Sequence, residues 1–202
     1  PVSIGIVLLM QTVWMGVLLE WFLDKKAPSF QKIISVIIVL IGTALAINIF
    51  KIDFNDPTID WANGLFWGLL AAASFTTTMF TANKVALGIS SAQRSLYMLL
   101  GGAVIVFGFS LYTQVTPFNF EIFTKWGIVL ALFGTIIPPM LLNAGFPHTG
   151  IGLGSIVSSL ELPVSVMMAF FLLNEQVLFI QWIGILLIIT AIVIMNIQFK
   201  KK

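Results

Sequence analysis

The 202-residue sequence has no cysteine, a single histidine, and only ten basic and eight acidic side chains, so that charged residues make up 9% of it. Each shortage excludes something. Without cysteine there are no disulfides, no thiolate zinc sites and no thiol nucleophiles. With one histidine there is no His-Glu-x-x-His metal motif, and no P-loop sequence occurs either. A soluble domain carries about 25% charged residues, far more than this chain. The basic residues lie between apolar runs, so the net charge of +2 serves orientation in a membrane better than nucleic-acid binding.

What is present is apolar: 59% of the residues are hydrophobic. Seven segments stand out, Val2–Leu23, Ile33–Phe50, Trp61–Asn83, Ser95–Tyr112, Trp126–Phe146, Ile151–Leu173 and Val177–Ile197. Each is long enough to cross about 30 Å of hydrocarbon as a helix. The runs are continuous, without the strict alternation of a barrel strand. An all-α integral membrane protein with seven transmembrane helices is therefore expected. The apolar start at Pro1-Val2 has no basic n-region, so it reads as a span and not a signal peptide; the missing initiator methionine suggests that upstream sequence has been removed, the alternative being a processed but complete protein.

The connections alternate in charge. Placing Lys25, Lys26, Lys32, Lys84, Arg94 and the three C-terminal lysines on one side leaves only Lys51 and Lys125 on the other. The positive-inside rule then puts the C-terminus in the cytoplasm and has the first span enter from outside.

Motifs for chemistry are scarce. Gly150-Ile-Gly152-Leu-Gly154 has no preceding strand and reads as a close-packing helix start, not a dinucleotide loop. Every lysine lies at a span end, which argues against a retinal protein. All four aspartates are terminal, which argues against intramembrane aspartyl proteolysis. His148 and Ser155 lie too close in sequence, near one membrane face, for a rhomboid-like pair. No catalytic residue, metal ligand or cofactor is expected, and the chain is not read as an enzyme.

Sparse polar groups inside the spans remain. Gly154, Ser158, Glu161 and Ser165 share one face of the sixth span. Glu161 falls near the bilayer midplane, where an ionised acid costs on the order of 3 kcal/mol and faces a cavity or a partner. It is either protonated, or balanced by a substrate cation, water or a further helix, or held as a structural acid within the bundle. Pro163 frees the Ser159 carbonyl and kinks the helix beside the acid. Pro138 and Pro139 distort the fifth span just before Asn143. In the third span Ser74, Thr78 and the neighbouring threonines either line a path or back-bond to their own helix. Gln11, with Trp14 one turn on, is a midplane polar group in the first span.

From Gly150 to Asn196 the sequence reads GIGLGSIVSSLELPVSVMMAFFLLNEQVLFIQWIGILLIITAIVIMN. A small-residue helix start, Glu161-Leu-Pro163 at mid-span, Leu173-Asn-Glu175 at its end, then Gln181 and Gly184, together resemble the end of an EamA-type repeat of the drug/metabolite transporter superfamily. Asn174 stands where that family usually has glycine. The resemblance runs from Trp61 to Lys200, and implies residues 61–202 as a second EamA-like repeat with a basic cytoplasmic tail. It makes 51–60 an external loop and 1–50 the last two helices of a first, related repeat. A shift of 150 sets Gln11 on Glu161 and Lys25 on Glu175, whereas 149 sets Gly42 on Ala191, so the register stays open by one residue. On the family plan the chain would be spans four to ten of a ten-helix inverted-repeat transporter in a bacterial inner membrane.

The resemblance implies a secondary transporter of small organic metabolites working by alternating access. Helix geometry offers Gln11, Trp14, Ser74, Thr78, Asn143, Ser158, Glu161 and Ser165 as lining groups. One acid and no base at mid-depth suits neutral, zwitterionic or cationic substrates. The expected partners are the lipid bilayer, a small-molecule substrate, protons as coupling ion and a second copy in a homodimer. The alternatives are a non-transporting membrane assembly subunit and, on span count alone, a seven-helix receptor.

Overall fold

The computed structural model describes residues 2–54, 56–115, 120–124 and 126–196, and these are helical with no strand. Seven apolar helices follow one another. Helix α1 runs in two pieces, Val2–Leu9 and Thr12–Asp24; α2 is Phe30–Ala46, α3 Trp61–Lys84, α4 Ser91–Thr113 and α5 Gly127–Thr149. Helix α6 is again in two pieces, Ile151–Ser158 and Glu161–Leu173, and α7 is Phe179–Asn196. Six of the seven are long and apolar enough to cross a bilayer, whereas α2 has 17 residues. At 1.5 Å per residue α2 reaches about 26 Å, the lower limit for a span.

Local chemistry explains where the ends fall. Helix α2 begins at Phe30, earlier than hydropathy indicates, because the Ser29 side chain accepts the Lys32 N–H as an N-cap. Helix α4 likewise gains a turn ahead of Ser95. Ser90 and Gln93 form a reciprocal capping box there, supplying partners for end groups that hydropathy does not register. Asp60 accepts from the backbone and side chain of Asn63 (3.1 and 2.6 Å), fixing the start of α3 and holding its own carboxyl below the usual 3.8. Asp56 is held low in the same way by Thr58, whose hydroxyl lies at 2.7 Å.

The chain divides into two compact units, residues 1–80 with 150–202, and residues 81–149. In the first, α2 and α7 run antiparallel and pack along their length. Ser35 Oγ donates to the Ala191 carbonyl at 3.1 Å, and Gln181 Nε2 donates to the Ala46 carbonyl at 2.8 Å. The crossing needs glycine on both sides. A Cβ on Gly42 would stand 2.9 Å from the Gly184 carbonyl oxygen, and one on Gly184 would stand 2.5 Å from that of Gly42. Beside this pair, Thr12–Asp24 of α1 lies along Ile151–Ser158 of α6, with Gly16 against Ser155.

Positions in this unit recur after 149 residues. Thr12–Asp24 with left-handed Lys25 corresponds to Glu161–Leu173 with left-handed Asn174. One buried cluster holds Val13, Val17 and Val39 with Met195 packed on it. The other holds Leu162, Ile188 and Ala46 with Val166 packed on it. At this shift Val13, Val17, Val39 and Met195 of the first match Leu162, Val166, Ile188 and Ala46 of the second, and Thr12, not Gln11, falls opposite Glu161.

In the second unit α5 carries its irregularity before its prolines. Residues Ala131–Ile136 form a π turn, and the Ile137 N–H reaches back to the Leu132 carbonyl. Pro138 and Pro139 bring no N–H, and widening the preceding turn is one way a membrane helix re-pairs its carbonyls.

Candidate functional site

The two broken helices give the first unit its polar interior. In α1 the side chain of Gln11 takes the Val7 carbonyl (Nε2 to O, 2.9 Å), the acceptor that its own backbone N–H would use in a regular helix. That N–H turns to Leu8 instead, at 3.1 Å, and Val13 N–H bonds Met10 at 3.1 Å. The free amide oxygen of Gln11 accepts the Trp14 indole N–H at 2.8 Å. In α6 the equivalent bonds recur, Leu160 N–H to Val157 at 3.0 Å and Leu162 N–H to Ser159 at 3.3 Å. Here Pro163 supplies the cause, since it leaves Ser159 without its helical donor. Ser158 Oγ and Ser159 Oγ bond back to Gly154 and Ile156 (2.9 and 2.6 Å).

Gln11, Trp14 and Ser158 are half-buried, and Glu161 and Ser165 are exposed one turn apart on the second piece of α6. Among the described residues no side chain pairs with Glu161 or hydrogen-bonds to it. In α3, Ser74 is exposed and Thr78 half-buried. Thr76, Thr77 and Thr78 each donate to the carbonyl four residues back, at 2.9, 3.0 and 3.2 Å, so these hydroxyls serve their own helix. No cluster of His, Asp and Glu suited to a metal occurs among the described residues.

Asn143 lies in the second unit, where it is 1% exposed. Pro147 cannot donate to the Asn143 carbonyl, and the Arg94 guanidinium fills that vacancy while its other amino group donates to Ala82 at 2.8 Å, near the end of α3. The Asn143 amide donates to Ser95 Oγ at 2.9 Å, and Asn83 donates to the Phe146 carbonyl. Arg94, read from sequence as a charge at the membrane face, is thus buried and occupied with helix ends.

The two ends of the first unit differ. Toward Asp24, five of the eight residues of the first α6 piece are buried; toward Leu173, Leu162 and Pro163 are the buried residues of the second piece. At the tight end Glu20 and Lys32 form a half-buried ion pair against Gly150 and Gly152, where α6 begins. Hydropathy passes over Glu20 inside an apolar run, and Lys32 enters only the charge balance of the connections. The signal was there in two glycines placed where a carboxylate meets a helix start. At the other end an open cavity of about 360 Å³ is lined by Asn48, Lys51, Gln176 and Gln181 among others.

No curated protein and no solved structure matches the chain. The model of the EamA-like transporter family matches residues 62–197, nearly the whole stretch from α3 to α7. With six apolar helices of spanning length and no strand among the described residues, that match marks a multi-pass membrane transporter. The chain belongs to the EamA-like transporter family of the drug/metabolite transporter superfamily.

Proposed function

We propose that the protein is a secondary transporter moving small neutral, zwitterionic or cationic organic metabolites by alternating access. The observation that carries this reading is the pair of mid-helix breaks, at Met10-Gln11 and Ser159-Leu160, each surrounded by polar side chains. Broken helices near mid-depth free backbone and side-chain groups that a substrate can engage where lipid cannot. Gln11, Trp14, Ser158, Glu161 and Ser165 are the proposed contact groups, with Ser74 and Thr78 of α3 in support. Asn143 is left outside this set because it lies buried in the second unit, where its side-chain NH2 donates to Ser95. Glu161, with no cationic partner among the described residues, supplies the charge that favours a cation or a proton.

Residues 1–50 are read as the counterpart of the last two helices of the EamA-like unit at 61–202, with 51–60 an external loop. The recurrence of helix bounds and core positions after 149 residues supports this. The end of the first unit bearing Lys25 and Lys26 is placed in the cytoplasm of a bacterial inner membrane, following the basic residues.

Uptake by the full chain in proteoliposomes, across a panel of amino-acid-like and cationic compounds under an imposed proton gradient, tests the reading. Glu161→Gln is expected to slow uptake about tenfold, the effect of roughly 1.4 kcal/mol, and to flatten its pH dependence. PH dependence unchanged in Glu161→Gln would sink proton coupling, and no uptake of any compound would sink the transport reading.

A further inference from the structure

The ion pair at the tight end of the first unit sits in an unusual place. Glu20 comes from the last turns of α1 and Lys32 from the first turn of α2, with side chains 18% and 20% exposed. Both bear on the first residues of α6. A Cβ at Gly152 would stand 2.5 Å from Glu20 Oε2 and 3.2 Å from Lys32 Nζ, and one at Gly150 would stand 2.9 Å from Glu20 Oε1. Glycine at both positions is therefore what admits the carboxylate. Gly150 also adopts φ +79°, a backbone conformation that side chains rarely take.

The carboxylate thereby meets the N-terminal end of α6, where N–H groups that have no acceptor within the helix and the helix dipole favour negative charge. Lys32 neutralises it from the other side. Partial burial makes the pair stronger than one in open water, and removing either partner leaves the other charge poorly solvated. Three helices are tied at one point.

At the opposite end of the unit the matching positions, 149 residues on, are Ala169 and Gln181. Ala169 carries no charge, and Gln181 makes neutral bonds, donating to Ala46 and accepting from Leu178 N–H at 2.9 Å. The unit thus has similar cores at both ends but an ionic tie at one. That end is the one where α1 and α6 are packed together, with Ser155 fully buried beneath the tie.

We infer that Glu20, Lys32 and the Gly150–Gly152 turn form a latch that holds this end of the transport path closed and must release for the path to open there. The inference rests on the transport reading above, but its test does not need a substrate. Because the chain has no cysteine, Ser155→Cys provides a single buried reporter, with Ser159→Cys, also fully buried, as a second. The full chain is reconstituted in liposomes, and a membrane-impermeant maleimide is added at the face bearing Lys25 and Lys26.

With the latch intact, labelling should be slow. Glu20→Gln and Lys32→Met should each speed it about tenfold, as expected when a sparsely populated open state gains ground. Gly152→Ala, which keeps both charges but displaces the carboxylate, should do the same. Labelling rates within about twofold of the parent in all three variants would overturn the latch, since the open state would then be indifferent to the tie. Fast labelling with no uptake of any substrate would sink the transport reading and leave the latch standing. Slow labelling in all three variants with normal uptake would do the reverse.

Discussion

The two ends of the first unit are built from matching positions and reach different packing. Val13, Val17 and Val39 at one end answer to Leu162, Val166 and Ile188 at the other. Yet the first piece of α6 is largely buried and the second largely exposed. The difference teaches that apolar matching alone does not set how tightly each end packs. The groups that distinguish the tight end are few: Gly16 against Ser155, and the Glu20–Lys32 pair on its glycine seat. The breaks carry the same lesson. A glutamine that captures a backbone carbonyl and a proline that lacks an N–H produce the same hydrogen-bond pattern 149 residues apart.

The largest effect should come from breaking the match where both halves meet. Gly184→Leu would drive a side chain into the backbone of Gly42 and Ala46, costing about 3 kcal/mol or more. Loss of the folded species in size-exclusion chromatography, or a steep fall in melting temperature, is the expected result. Ser35 occupies the matching position in α2, and Ser35→Ala should cost only about 0.6 kcal/mol for its bond to Ala191. Equal losses at the two positions would mean that the crossing is not held by close backbone approach.

An intermediate effect should follow from mending the breaks one at a time. Gln11→Leu returns the Val7 carbonyl to the backbone, and Pro163→Ala restores a donor for Ser159, so each variant should stabilise its helix by up to about 1 kcal/mol. Each should nevertheless slow uptake, if the breaks serve the substrate. Faster uptake in either variant would show that the break is incidental.

The smallest effect belongs to the connection before α3. Asp60→Ala removes an exposed cap and should lower the melting temperature slightly at neutral pH. Because the Asp56 and Asp60 carboxyls are held below 3.8 in the fold, their contribution is present above that value and fades as pH falls through the lowered values. A thermal scan between neutral pH and pH of about 3 should therefore narrow the gap between Asp60→Ala and the parent.

Much of this was legible in the sequence. Continuous apolar runs located all seven helices, because spanning a bilayer leaves little freedom in length or composition. Glu161, Pro163 and the sixth-helix pattern identified the family through α3–α7. The register between residues 1–50 and the later helices was not legible, because one-residue shifts keep apolar on apolar; helix bounds and several core positions recur at 149. Gln11 was recognised as polar and central but not as the residue that breaks α1, since a back-bonding amide looks like any other glutamine. Arg94 and Asn143 read as a face charge and a lining amide, because sequence alone cannot tell that Pro147 leaves a carbonyl for the arginine to fill.

That last arrangement bears on how the protein is made. A carbonyl stripped of its donor by Pro147 would meet hydrocarbon bare if α5 stood alone, at a cost of several kcal/mol. Its replacement donor is on α4, which leaves the ribosome first. The second unit therefore has a built-in order of assembly, in which α4 must be at hand, with Arg94 in reach, before α5 can settle into the bilayer.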